Sequence, residues 1–201
     1  MPPPFTPDQI VKAVPALLSD MQHLFGAMDQ EFEKISSALG FKCTGCADNC
    51  CRSLFYHHTV AEWVYLQIGI AHLSQEQQLA MRMRAQEVNQ RMLRPEIPAP
   101  TYKVMCAANV EGLCVIYPYR PMICRMHGIP NILSLPNGNC IEGPGCDAFT
   151  NRPTLKAGAP MDRTSFYQRL AMIEKAVRST IGYTKKIKKT VSEMIVDASL
   201  P

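Results

Sequence analysis

Apolar residues recur at helical spacing in four stretches of the chain, each opened by a recognisable start signal. Thr6-Pro7-Asp8-Gln9 reads as one start: Thr6 can cap, Pro7 suits the first helical position, and Gln9 completes a capping box. Pro15 kinks or restarts that helix. From there Leu17, Met21, Leu24, Met28, Phe32, Ile35 and Leu39 fall on one face and Gly40 supplies a stop, so the pattern predicts an amphipathic helix over roughly residues 16–39. Thr59-Val60-Ala61-Glu62 is a second capping box and predicts a helix over 60–72, with Glu62 as the capping acid and Trp63 in the core. Ser74-Gln75-Glu76-Gln77 starts a third, running to about Leu93 before Pro95 ends it. The last begins near Asp162 or Thr164. Its stripe of Phe166, Leu170, Ile173, Val177, Ile181, Val191 and Ile195 predicts a C-terminal amphipathic helix over 162–197, with Gly182 as a break point.

The middle of the chain has no such period. Residues 94–160 hold 10 of the 16 Pro and 6 of the 11 Gly, with room only for short strands at 115–117 and 129–135. A structureless run of that length inside a compact domain needs something to hold it. Five of the nine Cys lie within it and the other four lie in Cys43–Cys51, between two predicted helices. The expected fold is therefore mostly α: a single domain over residues 1–201 in which helices pack around a Cys-rich, Pro- and Gly-rich irregular region, residues 43–146, with at most short strands. The 12 Met, several on the helical stripes, read as core filler.

Composition narrows the setting. A chain of 201 residues with 47% hydrophobic and 19% charged residues is not a disordered one, and no stretch approaches the 18 apolar residues of a membrane span. Met1-Pro2-Pro3-Pro4-Phe5 has no export-signal pattern, so the expected compartment is the cytoplasm, where thiols stay reduced and clustered Cys points to metal or redox chemistry. Nine is an odd number, which excludes a complete disulfide set within one chain. The net charge of +4 is uneven: residues 1–150 carry 11 Lys/Arg against 13 Asp/Glu, and residues 151–201 carry 10 against 4. The run Lys185-Lys186-Ile187-Lys188-Lys189 makes the last predicted helix basic. Such a helix either presents a solvated face or docks an acidic protein partner. No nucleic-acid motif accompanies it. A Ser-His-Asp pattern, P-loop or GxGxxG is likewise absent from the sequence.

The sharpest local feature is Cys43-Thr44-Gly45-Cys46-Ala47-Asp48-Asn49-Cys50-Cys51. The spacing of Cys43 and Cys46 lets two thiolates grip one metal centre from a tight turn, and Gly45 permits the positive φ of such a knuckle. Adjacent side chains diverge, so Cys50 and Cys51 can face different groups. Buried structural thiols and a redox dithiol are the other readings of the cluster. A second constellation runs Cys106-(x7)-Cys114-Val115-Ile116-Tyr117-Pro118-Tyr119-Arg120-Pro121-Met122-Ile123-Cys124-Arg125.

Together these two segments resemble the CxxCxxCC family, described as a zinc- or iron-chelating domain and also as YkgJ-like cysteine-cluster proteins. Cys43–Cys51 matches its first motif with one extra residue before the Cys pair. Cys114, Ile116, Tyr117, Arg120, Pro121, Cys124 and Arg125 match its second, roughly C-x-I-Y-x-x-R-P-x-x-C-R. Cys106 corresponds to an upstream family Cys, although Ala107-Ala108-Asn109 follows where Pro-Phe-Leu is usual. The resemblance covers about residues 43–127. It implies about eight Cys ligands: Cys43, Cys46, Cys50, Cys51, Cys106, Cys114 and Cys124, with Cys140 or Cys146 as the eighth, and the two motifs meeting in space. The cofactor implied is an iron–sulfur cluster, with Zn2+ as the alternative, since both centres take four thiolates. Arg52, Arg120 and Arg125 would offset the thiolate charge beside the cofactor. His57, His58 and His127 read as residues around the ligands or at the surface, and Tyr117 and Tyr119 as packing around the metal loop. A metal-dependent protein-modifying enzyme resembling flagellin lysine N-methylase, and a structural zinc-binding interaction module, are the alternative functions. Whether the chain is an enzyme stays open at this point.

Overall fold

The computed structural model of the chain describes residues 5–42, 50–93, 104–152 and 158–200. Its helices begin where side chains can satisfy the free amides of a first turn. Thr6 caps α1 (Pro7–Ala13), accepting from the Gln9 N–H while the Gln9 side chain accepts from the Thr6 N–H. The chain breaks around Pro15 and α2 (Leu17–Ala38) restarts, burying Leu17, Met21, Leu24, Phe25 and Met28 along one face. Gly40 follows with φ 70°, the left-handed stop that a Cβ would strain. α4 (Gln75–Met92) starts from a reciprocal Ser74–Gln77 capping box.

α3 (Val60–Ala71) is apolar on almost every face, the pattern of a helix enclosed by others. Trp63, Leu66 and Ile70 are buried in the core, and α1, α2, α7 (Thr164–Ile181) and α8 (Val191–Val196) pack around α3. Polar groups of α3 hold its neighbours. Trp63 Nε1 donates to the Asp197 carbonyl at 3.1 Å, and Gln67 Nε2 donates to the carbonyls of Met194 (2.5 Å) and Asp197 (3.0 Å), closing the end of α8 (Val191–Val196). The expected capping box at the start of α3 is one-sided. Thr59 accepts from the Glu62 N–H, but the Glu62 carboxylate does not return to the Thr59 N–H. Its Oε2 accepts from the Thr59 hydroxyl and its Oε1 accepts from the distant Met122 N–H.

The Pro- and Gly-rich middle is a chain of short elements. β1 (Asn109–Val110) and β2 (Leu113–Cys114) form a hairpin whose two turn residues, Glu111 and Gly112, have φ 50° and 86°, the mirror-image turn that matches strand twist. A 3-10 turn at Tyr117–Tyr119 and α5 (Met122–Met126) follow. The strand expected at 115–117 is not formed: Pro118 favours a helical turn, and Tyr119 tucks against Gly69 and the rings of Tyr65 and His72. The strand expected at 129–135 is present as β3 (Asn131–Ser134). It pairs antiparallel with β4 (Cys140–Gly143) and parallel with β5 (Met161–Asp162), and α6 (Asp147–Thr150) lies between those two. The architecture is mostly α with only short strands.

The expected helix over 162–197 divides. α7 (Thr164–Ile181) ends at Gly182, φ 67°, and residues 183–190 run as a non-helical strap to the Thr190 capping box of α8. The strap is held by a two-bond bridge between His57 and Lys189 (2.7 and 3.0 Å) and by the buried side chains of Tyr183 and Ile187. Lys185, Lys186 and Lys188 remain exposed. The basic run is therefore not helical, because burying Ile187 and pairing with His57 require extended backbone. No helix among the described residues is long and apolar enough to cross a membrane.

Candidate metal centre

Cys43 and Cys46 lie outside the described residues; the other Cys can be placed. Cys51 stands just before the strand-like segment that leads to α3, and its carbonyl accepts from the Cys106 N–H at 2.6 Å. That bond brings the end of the first motif against the start of the second. The β1–β2 hairpin then turns the chain back so that Cys114 lies opposite Asn109, and α5 presents Cys124. Cys50, Cys51, Cys106, Cys114, Cys124 and Cys146 all line one cavity of about 990 Å³. Cys146 reaches it from the turn before α6, its N–H bonded to the Gly128 carbonyl at 3.1 Å. Cys140 is different. It is exposed on β4, paired with Ser134, and does not line the cavity. Of the two candidates for an eighth ligand, Cys146 is the one placed with the rest.

The thiols affect one another electrostatically. Cys51 is lowered to about 6, chiefly because the Cys50 thiol hydrogen-bonds to it. Burial opposes this and the Asn109 side chain adds to it. Burial pushes Cys106 up to about 12, with Cys51 and Cys114 contributing, and it also raises Cys114. Cys124 is raised well above its ordinary value, again by burial first and then by Cys106, Cys114 and Cys51. Ionisation is therefore favoured at Cys51 and opposed at Cys106, Cys114 and Cys124 by low dielectric and like charge. Among the described residues, no three His, Cys, Asp or Glu side chains stand close enough to hold a single metal ion.

The flanking residues divide by role. Arg120 and Arg125 both line the cavity, and both bind one acid on α2: Arg120 Nη2 reaches Asp29 Oδ1 at 2.8 Å and Arg125 Nη1 reaches Asp29 Oδ2 at 2.6 Å. Arg125 also donates to the carbonyls of Arg120 (3.0 Å) and Pro118, so it fixes the turn that precedes α5. Arg120 lies 3.7 Å over the Tyr117 ring. Arg52 lines the cavity as well. His127 lines it against Phe55, ring centroids 5.3 Å apart. His57 is buried with Nδ1 3.6 Å from Glu62 Oε1, and His58 Nδ1 sits 3.0 Å from the Ile187 carbonyl. Neither His57 nor His58 lines the cavity.

Sequence reasoning missed Asp29, Asn109 and the reach of Glu62 to α5. Asp29 is one of four acids on α2, and its only signal was the need of two nearby arginines for a counter-charge. Compared with known proteins, the chain matches no family model, no curated protein and no solved structure.

Proposed function

We propose that the chain is a cysteine-cluster metalloprotein of the kind its two motifs resemble, binding an iron–sulfur cluster, with Zn2+ as the alternative occupant, in a reducing cytoplasmic setting and with a redox role. One observation carries this reading: six Cys from well-separated parts of the chain line a single cavity. The donor types suit such a centre: both take four thiolates. No three described side chains converge on one point, so the set needs Cys43 and Cys46 to complete it. The electrostatics fit as well, because buried thiols that oppose one another's ionisation are where a bound cation has most leverage on deprotonation. When bound, the centre would supply electron transfer or, as zinc, a structural staple. The chain's own part is to hold the thiols: the Cys51–Cys106 backbone bond sets one wall, the hairpin sets Cys114, and Asp29 with Arg120 and Arg125 sets the turn before Cys124. Cys140 is the spare ninth.

The test is anaerobic purification followed by iron, zinc and acid-labile sulfide analysis and a visible spectrum. Metal bound by Cys thiolates is expected, lost in Cys51→Ser and Cys124→Ser and kept in Cys140→Ser. Protein with neither metal nor sulfide overturns the reading. A partner follows from the strap: the exposed Lys185, Lys186 and Lys188 suit an acidic protein, and Thr190 at the end of the strap lines the cysteine cavity. Reversing those three charges is expected to abolish capture of that protein.

A further inference from the structure

α5 is five residues long, and its N-cap, Pro121, makes no side-chain cap bond. Both ends are instead gripped by buried charged groups from elsewhere in the chain. At the first residue, the Met122 N–H donates to Glu62 Oε1 at 3.0 Å across 60 residues of sequence. At the last, Arg163 Nη2 donates to the Met126 carbonyl across 37 residues. The signs suit the helix: an anion at its amide end and a cation at its carbonyl end. Each grip is itself anchored. Glu62 is held by the Thr59 hydroxyl and faces His57, and the backbone N–H of Arg163 bonds to Ile132 on β3 at 2.9 Å. Burying two ions carries a desolvation penalty that only well-placed hydrogen bonds offset. In both cases one such bond goes to the helix that bears Cys124, and Arg163 Nε is buried with no partner among the described residues.

We infer that Glu62 and Arg163 are positioning residues for Cys124, holding α5 by its two ends and so setting where that thiol enters the cavity. The consequence for metal rests on the function proposed above; the grip on α5 does not. The full chain is compared with Glu62→Ala, Glu62→Gln, Arg163→Met and Arg163→Lys. In metal-free, reduced protein, alkylation of Cys106, Cys114 and Cys124 is followed separately by peptide mass spectrometry. Glu62→Ala and Arg163→Met are expected to speed alkylation of Cys124 about tenfold relative to Cys106, the factor set by losing one charge-assisted hydrogen bond from a local opening. Gln and Lys, which keep an acceptor and a donor in place, are expected to recover most of the protection. Equal acceleration at all three thiols, or none at Cys124, overturns the inference. If the Ala and Met chains do not fold, the Gln and Lys chains carry the same comparison, with a Cys124-selective rise of about threefold expected. Reconstitution with iron and sulfide reads the second arm: the visible spectrum of Glu62→Ala is expected to differ from wild type, and an unchanged one overturns the consequence for metal, while alkylation decides the grip on α5. Should wild type take up no metal, the proposed function falls while the alkylation arm still decides the role of Glu62 and Arg163.

Discussion

Replacing Glu174 by alanine is expected to unfasten the central helix. The Glu174 side chain on α7 is buried, and its two oxygens accept from the first two amides of α3: Val60 N–H at 2.9 Å and Ala61 N–H at 3.0 Å. Arg178 Nε donates to the same carboxylate at 2.5 Å. The truncation removes two charge-assisted bonds of about 1.5–3 kcal/mol each and leaves two buried amides unpaired. Arg178 partly recovers, because it is more exposed and also donates to the Lys185 carbonyl at 2.7 Å. The net loss expected is about 3–4 kcal/mol. At this chain length that corresponds to a fall in Tm of roughly 10 °C. Urea denaturation is the assay, with the shift in midpoint read at constant m. Glu174→Gln keeps one acceptor and turns an NH2 toward the second amide, so about half the loss is expected. A loss below about 1 kcal/mol in Glu174→Ala would refute the reasoning, since it would mean that α3 finds other partners for its first turn.

Further perturbations follow from the same geometry. Asp29→Asn strips the shared counter-charge from Arg120 and from Arg125, whose side chain is 2% exposed, and is expected to cost about 2–3 kcal/mol in denaturant midpoint. Gly69→Ala places a Cβ 2.4 Å from Tyr119 Cβ, so Tyr119 must move; a loss of about 1–3 kcal/mol is expected, with altered tyrosine fluorescence. Burial opposes ionisation of Glu62, yet His57, Thr59 and the Met122 N–H together hold it below its ordinary value of 4.5. A lowered folded value means that its stabilisation is complete above about pH 4.5 and disappears as pH falls through the folded value. Stability measured against pH should therefore fall below pH 4.5 in wild type and fall less steeply in Glu62→Gln.

The helices were legible because their signals are local. Thr6 with Gln9, Ser74 with Gln77 and the stripe from Leu17 to Leu39 involve residues three or four apart, and such pairs meet on any helix. The failures share the opposite property. Glu62 sits at a capping-box position, yet its carboxylate is drawn to Met122, because a buried acid goes to whichever unsatisfied donor the packing brings near. The last stripe continues in register past Gly182, yet residues 183–190 leave the helix to bury Ile187 and pair with His57. The residues of the cysteine site were legible as types and spacings; their arrangement was not. Cys140 and Cys146 look alike in sequence, and only the pairing of β3 with β4 leaves one exposed while the turn at Gly128 carries the other to the cavity.

By itself, then, the amino-acid sequence determined the mostly helical class, the helix starts, the two cysteine motifs and the need for something to hold the middle of the chain. The tertiary structure decided which thiols share a cavity, which acid answers Arg120 and Arg125, and which charges grip the helix bearing Cys124. The physical reason is range. Propensity, capping and periodicity act within one turn, whereas burial and the pairing of buried charge join residues that only packing makes neighbours.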